Sequence, residues 1–245
     1  MSVHRPPEHM RPQVAQTLPR RVALFGGTFD PCHAGHLAVA RAADRKFHLD
    51  EILFIPSGAP PHKLRHVVAP FPHRFAMTAL ACADHPHFVP SLAEAGPDLG
   101  GHRTFYSIET VRHFRHVYNH PGDHLYFILG ADSFLHLPTW KEYEALLNSV
   151  DFIVASRPGF RIDALRLVIP PELRARPGSL GAGGTNGGDG GHAIHLRKTT
   201  IHLLDSVSSD VSSTEIRRRR RHHESVHGLV PVRVEEYILK QDLYH

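Results

Sequence analysis

Residues 22–36 read VALFGGTFDPCHAGH, an apolar run followed by two glycines and then by two histidines three positions apart. The apolar run predicts a short buried strand, and the histidines stand where the next helix would begin. Gly26 and Gly27 let the backbone pass close to a ligand, and free amides at a helix mouth can face an anion. His33 and His36 add imidazole donors that suit phosphoryl oxygens. The stretch therefore predicts a strand–turn–helix unit that binds phosphate.

Short apolar runs alternate with helical stretches along the rest of the chain, which is typical of parallel βαβ units. Strands are predicted at residues 22–25, 51–56, 88–90, 125–129, 151–155 and 201–204. Helices are predicted at residues 34–47, 71–83, 107–116 and 143–147, from 213 onward, and at 231–240. The predicted fold class is α/β, with a central parallel sheet, helices on both faces and a helical extension at the C-terminal end.

Two segments stand apart from this pattern. Residues 1–20 are rich in Pro, Arg, His and Gln and lack the apolar core of a secretion signal, so a disordered leader is expected. Residues 178–191 hold eight of the chain's 19 glycines and almost no apolar residue, which predicts a flexible insertion. The expected organisation is a single domain over residues 21–245 that carries this insertion.

Composition limits the classes of protein to consider. No apolar run approaches membrane-spanning length, so no membrane partner is expected. The cysteines, Cys32 and Cys82, form no disulfide framework and no CxxC metal pattern, which favours a reducing cytoplasm. The formal net charge of +4 suits anionic partners, either nucleotides or nucleic acid, and composition does not choose between them.

Four separated segments should meet if the sheet is parallel, because a ligand then lies across the carboxyl edge of the strands. They are residues 26–36, the loop PPHK at 60–63, GAD at 130–132 and SSTEIR at 212–217. In the last of these, hydroxyl residues before Glu215 predict a capped helix start, whose amides and dipole would suit a triphosphate. Arg217 would add a bidentate charge partner. Taken alone, this segment fits an ordinary capped surface helix better than a phosphate site.

The run GGTFDPCHAGH resembles the HxGH-type signature of nucleotidyltransferases. Together with residues 60–63, 130–140, 212–217 and the chain's ending, it looks like the motif set of bacterial nicotinate mononucleotide adenylyltransferases, over about residues 20–245 apart from the glycine-rich insertion. The resemblance implies a Rossmann-like nucleotidyltransferase fold. It implies ATP and nicotinate mononucleotide as small-molecule substrates, with deamido-NAD and pyrophosphate as products.

The same resemblance assigns roles to residues that match the motifs. It implies catalytic or phosphate-holding roles for His33, His36 and Arg217, and nicotinate mononucleotide binding by Ser107 and Trp140. It implies ATP binding by Gly26, Gly27, Thr28, Phe29, Lys63, Gly130, Asp132, Ser213 and Thr214. Mg²⁺ is expected on the ATP phosphates, with no protein metal site. One departure concerns Glu109, because the family usually has an aspartate there in a Thr-x-Asp-Thr stretch.

Three alternatives remain open at this stage. A sister adenylyltransferase would use nicotinamide mononucleotide or phosphopantetheine as acceptor. The arginine run at residues 217–221 would suit a nucleic-acid-binding protein, although no aromatic residues are interleaved with it and no nucleic acid is expected. Histidine pairs at 33/36, 113/116 and 222/223 have a spacing or adjacency that zinc sites use. Whether the chain forms a homo-oligomer is left open.

Overall fold

The computed structural model describes residues 18–58, 68–97, 104–156, 159–175, 193–205 and 210–245. Three sequence predictions fall outside these ranges: most of the leader, the loop that carries Lys63, and the glycine-rich insertion at 178–191. The division into a leader and a single domain with an insertion stays a prediction.

In the described part of the chain, seven strands form one sheet in the order β3-β2-β1-β4-β5-β7-β6. The strands are β1 (Arg21–Gly27), β2 (Glu51–Pro56), β3 (Phe88–Pro90), β4 (His124–Gly130), β5 (Asp151–Ala155), β6 (Ala193–His195) and β7 (Thr200–Leu204). All neighbouring pairs are parallel except β6 with β7. The predicted parallel sheet is confirmed, with β6 as an antiparallel edge strand that was not predicted. With Ile194 as its single buried residue, β6 is too short to show any periodicity.

Eight helices accompany the sheet within the described residues. They are α1 (Ala34–Phe47), α2 (Phe71–Cys82), α3 (Ser107–Val117), α4 (Ala131–Leu135), α5 (Tyr143–Leu147), α6 (Asp163–Arg166), α7 (Ser213–Arg221) and α8 (Val232–Lys240). The predicted helices all appear, within a residue or so of their expected ends. The short helices α4 and α6 were not predicted, because α4 begins directly at the end of β4 and α6 has Leu165 as its single buried residue.

Alternate side chains of the strands enter two separate cores, one on each face of the sheet. Ala23 and Phe25 of β1 pack with α1, α2, α7 and α8, whereas Val22 and Leu24 pack with α3, α4, α5 and α6. The central strands are buried on both faces, which explains why they read as continuous apolar runs in the sequence. Helices on both faces of the sheet are thereby confirmed.

The connections from the sheet change direction between β1 and β4. These two strands lie side by side at the centre, with β2 and β3 beyond β1 and β5 beyond β4. The loops that leave their carboxyl ends therefore diverge and open a crevice, the usual ligand position in such sheets. Strand β1 extends through Gly26 and Gly27, which pair with Ile55 and Pro56 of β2. The glycines thus lie at the end of the strand rather than in the loop after it.

No helix in the described ranges combines the length and the apolar character needed to cross a membrane.

Candidate active site

A cavity of about 1160 Å³ opens at the carboxyl edge of the sheet. Its wall combines the ends of four strands with residues from the helices and loops that follow them. Predicted site residues in this wall are Gly26, Gly27, Thr28, His33, His36, Ser107, Gly130, Asp132 and Trp140. The tertiary structure thus brings together segments more than 100 positions apart, as the parallel sheet predicted.

The two signature histidines stack on each other at the start of α1. Their ring centroids are 3.7 Å apart, and the backbone N–H of His33 donates to Nδ1 of His36 over 3.2 Å. Because Nδ1 of His36 accepts this bond, a neutral ring carries its proton on Nε2. His36 therefore has a donor at Nε2, set by the helix start itself.

The side chain of His33 is more deeply buried than that of His36. It is 7% exposed, and burial lowers its pKa to about 4. Its side chain faces the backbone amide at position 36, but Nδ1 makes no hydrogen bond of normal geometry within the described residues. His33 is therefore neutral near pH 7 and can meet a phosphoryl oxygen as a hydrogen-bond donor, not as a cation.

Phe29 lies beneath the signature loop instead of in the cavity wall. Its side chain is buried against Phe25 and Phe54, and the ring of His36 meets it edge-on at 4.9 Å. A Cβ added at Gly27 would lie 3.1 Å from the Phe29 ring. A side chain at position 27 would have to displace the Phe29 ring by a few tenths of an ångström, and that ring packs beneath the loop and against His36.

Asp30 is a buried carboxylate that joins the signature loop to α7. It is 1% exposed, and its Oδ2 lies 3.5 Å from Nη1 of Arg217. Nη1 of Arg217 also donates to the backbone carbonyl of Asp30 over 2.7 Å, and Oγ of Ser213 donates to the carbonyl of Pro31 over 3.1 Å. Sequence analysis quoted Asp30 within the signature but gave it no role. The signal was available, since a lone acidic side chain in an otherwise apolar and glycine-rich loop needs a partner.

Helix α7 begins as the sequence predicted. Ser212 is its N-cap and accepts a hydrogen bond from the backbone N–H of Glu215 over 3.2 Å. Nη2 of Arg217 reaches Oγ1 of Thr214 at 3.4 Å. Ser213, Thr214 and Arg217 therefore stand directly behind the signature loop, with part of the guanidinium already bonded inside the protein.

Arg74 is a structural residue of the site that sequence analysis missed. It is 2% exposed and donates to the carbonyls of Ala69, Thr28 and Gly58, each at 2.9 Å. These carbonyls belong to the segment before α2, the signature loop and the end of the segment after β2. The sequence did contain an indication of this role, because Arg74 lies three residues after Phe71 and so on the buried face of α2.

The opposite end of the cavity is formed by α3 and the segment after α4. Ser107 opens α3, and Trp140 is half-buried and packs against the core of that face of the sheet. Nζ of Lys141 lies 4.3 Å from the centroid of the Tyr106 ring and donates to Glu109 over 2.8 Å. Glu109, the departure from the family motif, therefore anchors the segment that carries Trp140.

Glu94 is a second wall residue that sequence analysis did not identify. Its Oε1 accepts a 2.7 Å hydrogen bond from the hydroxyl of Thr110, and burial raises its pKa. No motif pointed to it, because it lies in an irregular segment after β3. Its contact connects that segment to α3, close to Ser107.

The described residues give little support to a zinc site or to a nucleic-acid-binding surface. No group of three His, Cys, Asp or Glu side chains there could hold a metal ion. In the arginine run, Arg218 pairs with Glu215 and Glu224, and Arg219 pairs with Glu215, at 2.8–2.9 Å. Arg217 also lies 3.5 Å from the Asp30 carboxylate, so three of the five arginines are matched by carboxylates, which weakens the basic patch that nucleic acid would require.

Known proteins resemble this chain over most of its length. A family model described as cytidylyltransferase-like matches residues 24–219. A Moorella thermoacetica protein described as a probable nicotinate-nucleotide adenylyltransferase is 39% identical over 231 residues, covering 93% of each chain. A Geobacter metallireducens protein of the same description is 37% identical over 226 residues, covering 91% of this chain and 98% of that one.

Solved structures show the same fold. The nicotinic acid mononucleotide adenylyltransferase of Plasmodium falciparum, complexed with NaAD, matches with a TM-score of 0.66 at 18% identity. The match covers 92% of this chain and 97% of that one. The same enzyme complexed with APC matches with a TM-score of 0.65. At this identity the likeness establishes the architecture of the sheet and its helices.

Proposed function

The chain belongs to the nicotinate-nucleotide adenylyltransferase family, and we propose that it transfers the adenylyl group of ATP to nicotinate mononucleotide, with deamido-NAD and pyrophosphate as products. The observation that carries the proposal is that one cavity is lined by His33 and His36, at the start of a helix on one face of the sheet, and by Ser107 and Trp140, on the other face. Such a cavity can hold two nucleotides with their phosphates facing each other at the carboxyl edge of the sheet.

The ATP phosphates lie in our proposal against the signature loop. Neutral His33 and Nε2 of His36 donate hydrogen bonds to phosphoryl oxygens, and the start of α1 adds its partial positive charge. Arg217 adds a guanidinium behind the loop, with its charge partly offset by Asp30, and Ser213 and Thr214 stand beside it. Lys63, outside the described residues, keeps the role that the family resemblance implies. Gly130 and Asp132 border the nucleoside.

The acceptor nucleotide occupies the end of the cavity bordered by α3. Trp140 offers a flat aromatic face to the electron-poor pyridine ring, an arrangement that favours stacking. Ser107, at the first position of α3, has a hydroxyl and an amide that suit the nicotinate carboxylate. The acid or amide preference of the enzyme is set at this end of the cavity.

The reaction is an in-line displacement at the α-phosphorus of ATP. A phosphate oxygen of nicotinate mononucleotide forms the new P–O bond while the bond to pyrophosphate breaks, and the electron pair leaves with pyrophosphate. The nucleophile is already an anion near neutral pH, so no strong general base is needed. The protein contributes position and stabilisation of the charge that grows on the phosphoryl oxygens.

Mg²⁺ accompanies ATP in this proposal. The side chains at the signature loop are donors to anions, and no three-ligand cluster occurs among the described residues. This donor set fits an ion held by phosphate oxygens and water, with Asp132 available to its water shell. When bound, the ion neutralises charge on the triphosphate and the departing pyrophosphate.

The experiment that tests the proposal measures pyrophosphate release with MgATP and each of three acceptors. The acceptors are nicotinate mononucleotide, nicotinamide mononucleotide and phosphopantetheine. We expect release with the first at the highest kcat/KM. Release mainly with one of the others would keep adenylyl transfer and overturn the acceptor, whereas no release with any acceptor would overturn the activity. Cytoplasmic location and the oligomeric state stay predictions.

A further inference from the structure

Asp30 is held by three different parts of the chain. Its Oδ1 accepts a 2.8 Å hydrogen bond from the hydroxyl of Tyr244 and a 3.2 Å bond from the backbone N–H of Ala69. Its Oδ2 faces the guanidinium of Arg217 at 3.5 Å. A carboxylate that is 1% exposed depends on such donors, since each one lost leaves part of its charge unpaired.

The segment after α8 is shaped to deliver Tyr244 to this carboxylate. Asp242 and Tyr244 both adopt left-handed backbone conformations, with φ of 47° and 67°, and the backbone N–H of Leu243 closes onto the carbonyl of Ile238 at 3.0 Å. Left-handed φ is unfavourable for residues other than glycine and persists where packing compensates for it. Leu243 and Tyr244 pack against the core that includes α1 and α2. The chain reversal thus points Tyr244 inward, at the signature loop.

The Tyr244 hydroxyl is uncharged and lies among the charged side chains of Asp30, Arg74 and Arg217. Burial and the adjacent Asp30 carboxylate raise the pKa of Tyr244 well above its usual value, so the hydroxyl keeps its proton and acts as a donor. Without it, Oδ1 of Asp30 would retain only the longer bond from Ala69. Arg217 would then be drawn toward the carboxylate, away from the Asp30 carbonyl and Thr214 that it contacts now.

We propose that Tyr244 is a positioning residue for adenylyl transfer, which acts through Asp30 on both the signature loop and Arg217. The inference rests on the proposed function. The path is short. The Tyr244 hydroxyl donates to the Asp30 carboxylate, Asp30 lies three residues before His33 in the signature loop, and Nη1 of Arg217 contacts both the carbonyl and the carboxylate of Asp30. A residue 208 positions beyond His36 thereby controls where the phosphate-binding groups stand.

The chain provides a matched control on the same C-terminal segment. Tyr237 in α8 also uses its hydroxyl, in a 3.0 Å bond with Nδ1 of His73 in α2, and makes no contact with Asp30 among the contacts described. Tyr244→Phe and Tyr237→Phe each remove one tyrosine hydroxyl and leave the ring. Only the first should alter the signature loop.

The experiment compares both variants with the wild type by steady-state kinetics and by amide hydrogen exchange over residues 26–36. We expect Tyr244→Phe to lower kcat by about tenfold, with the KM for nicotinate mononucleotide unchanged, because a small displacement of the phosphate-binding groups reduces the rate of the chemical step. Exchange over residues 26–36 should quicken in the same variant. Tyr237→Phe should leave both quantities at their wild-type values.

A double-mutant cycle with Asp30→Asn completes the test. If Tyr244 acts through Asp30, the double variant should lose no more kcat than Asp30→Asn alone. Additive losses, or equal effects of the two Tyr→Phe variants, would overturn the proposal. Should the wild type release no pyrophosphate, the proposed function fails and hydrogen exchange decides alone: faster exchange only in Tyr244→Phe supports the positioning role, and unchanged exchange overturns it.

Discussion

Two histidines three positions apart have different properties in this protein. His33 is buried and neutral near pH 7, whereas His36 accepts a backbone hydrogen bond at Nδ1 and so carries the proton of its neutral ring on Nε2. Both differences arise from the first turn of α1, where His33 is the N-cap and His36 the third helical residue. Their pairing gives the proposed phosphate site two donors without two positive charges.

Replacement of His36 tests the donor at Nε2. His36→Ala removes a hydrogen bond that is used in the transition state, so we expect kcat to fall by roughly 10²–10³. Steady-state pyrophosphate release measures it. His116→Ala, which removes an exposed histidine from α3, is the control and should behave as the wild type. A His36→Ala variant within about threefold of the wild type would contradict the role, because losing such a donor costs far more.

The buried His33 predicts a pH dependence of stability. Its pKa is about 4 in the folded state against an ordinary 6.5, so the unfolded chain binds the extra proton between these values. The free energy of unfolding is therefore unaffected by His33 above the ordinary pKa. It decreases as the pH falls toward 4, by up to about 3 kcal/mol.

Urea unfolding at about pH 7 and about pH 4.5 measures this loss in the wild type and in His33→Asn. Asparagine is a preferred N-cap residue, so the variant keeps the helix start but has no titrating group at position 33. We expect the wild type to lose more unfolding free energy than the variant between the two pH values. Equal losses would show that His33 is not the titrating group.

At the scale of elements, α3 and the Trp140 segment are joined by two ion pairs. Lys141 pairs with Glu109 at 2.8 Å, and Arg112 pairs with Glu142 at 2.6 Å. Both pairs connect the helix that carries Ser107 to the segment that carries Trp140. The longer side chain of Glu109, compared with the family's usual aspartate, reaches Lys141 directly. The sequence departure therefore lies in a contact between the two segments that carry the predicted acceptor residues.

Glu109→Gln tests this connection. Exposed ion pairs contribute little, so we expect the KM for nicotinate mononucleotide to rise by only about two- to fivefold, with the KM for ATP unchanged. The control is Arg233→Gln, which breaks an exposed pair with Asp84 at 3.4 Å between α8 and the end of α2. Equal changes in both KM values would contradict a role confined to the acceptor end.

At the scale of the whole molecule, Arg74 holds together loops that the sheet leaves apart. Its three hydrogen bonds join the signature loop, the segment after β2 and the start of α2, all at the carboxyl edge. Parallel strands deliver their loops to one edge but do not fix the loops against each other. A buried guanidinium with several donors in a rigid plane suits that task.

Arg74→Leu should lower the unfolding free energy by about 3 kcal/mol or more, because three buried carbonyls lose their donor together. Chemical denaturation measures the effect. Arg115→Leu, at an exposed position of α3, is the matched control and should change stability by less than about 0.5 kcal/mol. A loss no greater than that of the control would show that the loops are held by other contacts.

Most of the architecture could be predicted from local patterns. The strands at the centre of the sheet are continuous apolar runs because both faces are buried, and the start of α7 is marked by Ser212 followed by Glu215. Strand β6 and helix α6 escaped prediction because each has one buried residue and so shows no period, and helix α4 escaped because it begins directly at the end of β4. Ser107 and Trp140, named from the motif segments, both line the cavity, and their binding roles stay predictions.

The sequence by itself determined the α/β fold, the family and part of the cavity wall, because these follow from periodicity and from short motifs that are local in the chain. Only the tertiary structure decided what those residues contact. Arg217 bonds Asp30, Phe29 supports the loop from below, and Arg74 and Tyr244 join the site. Such contacts depend on which residues, distant in sequence, are buried next to each other. The spacing of residues along the chain does not specify that.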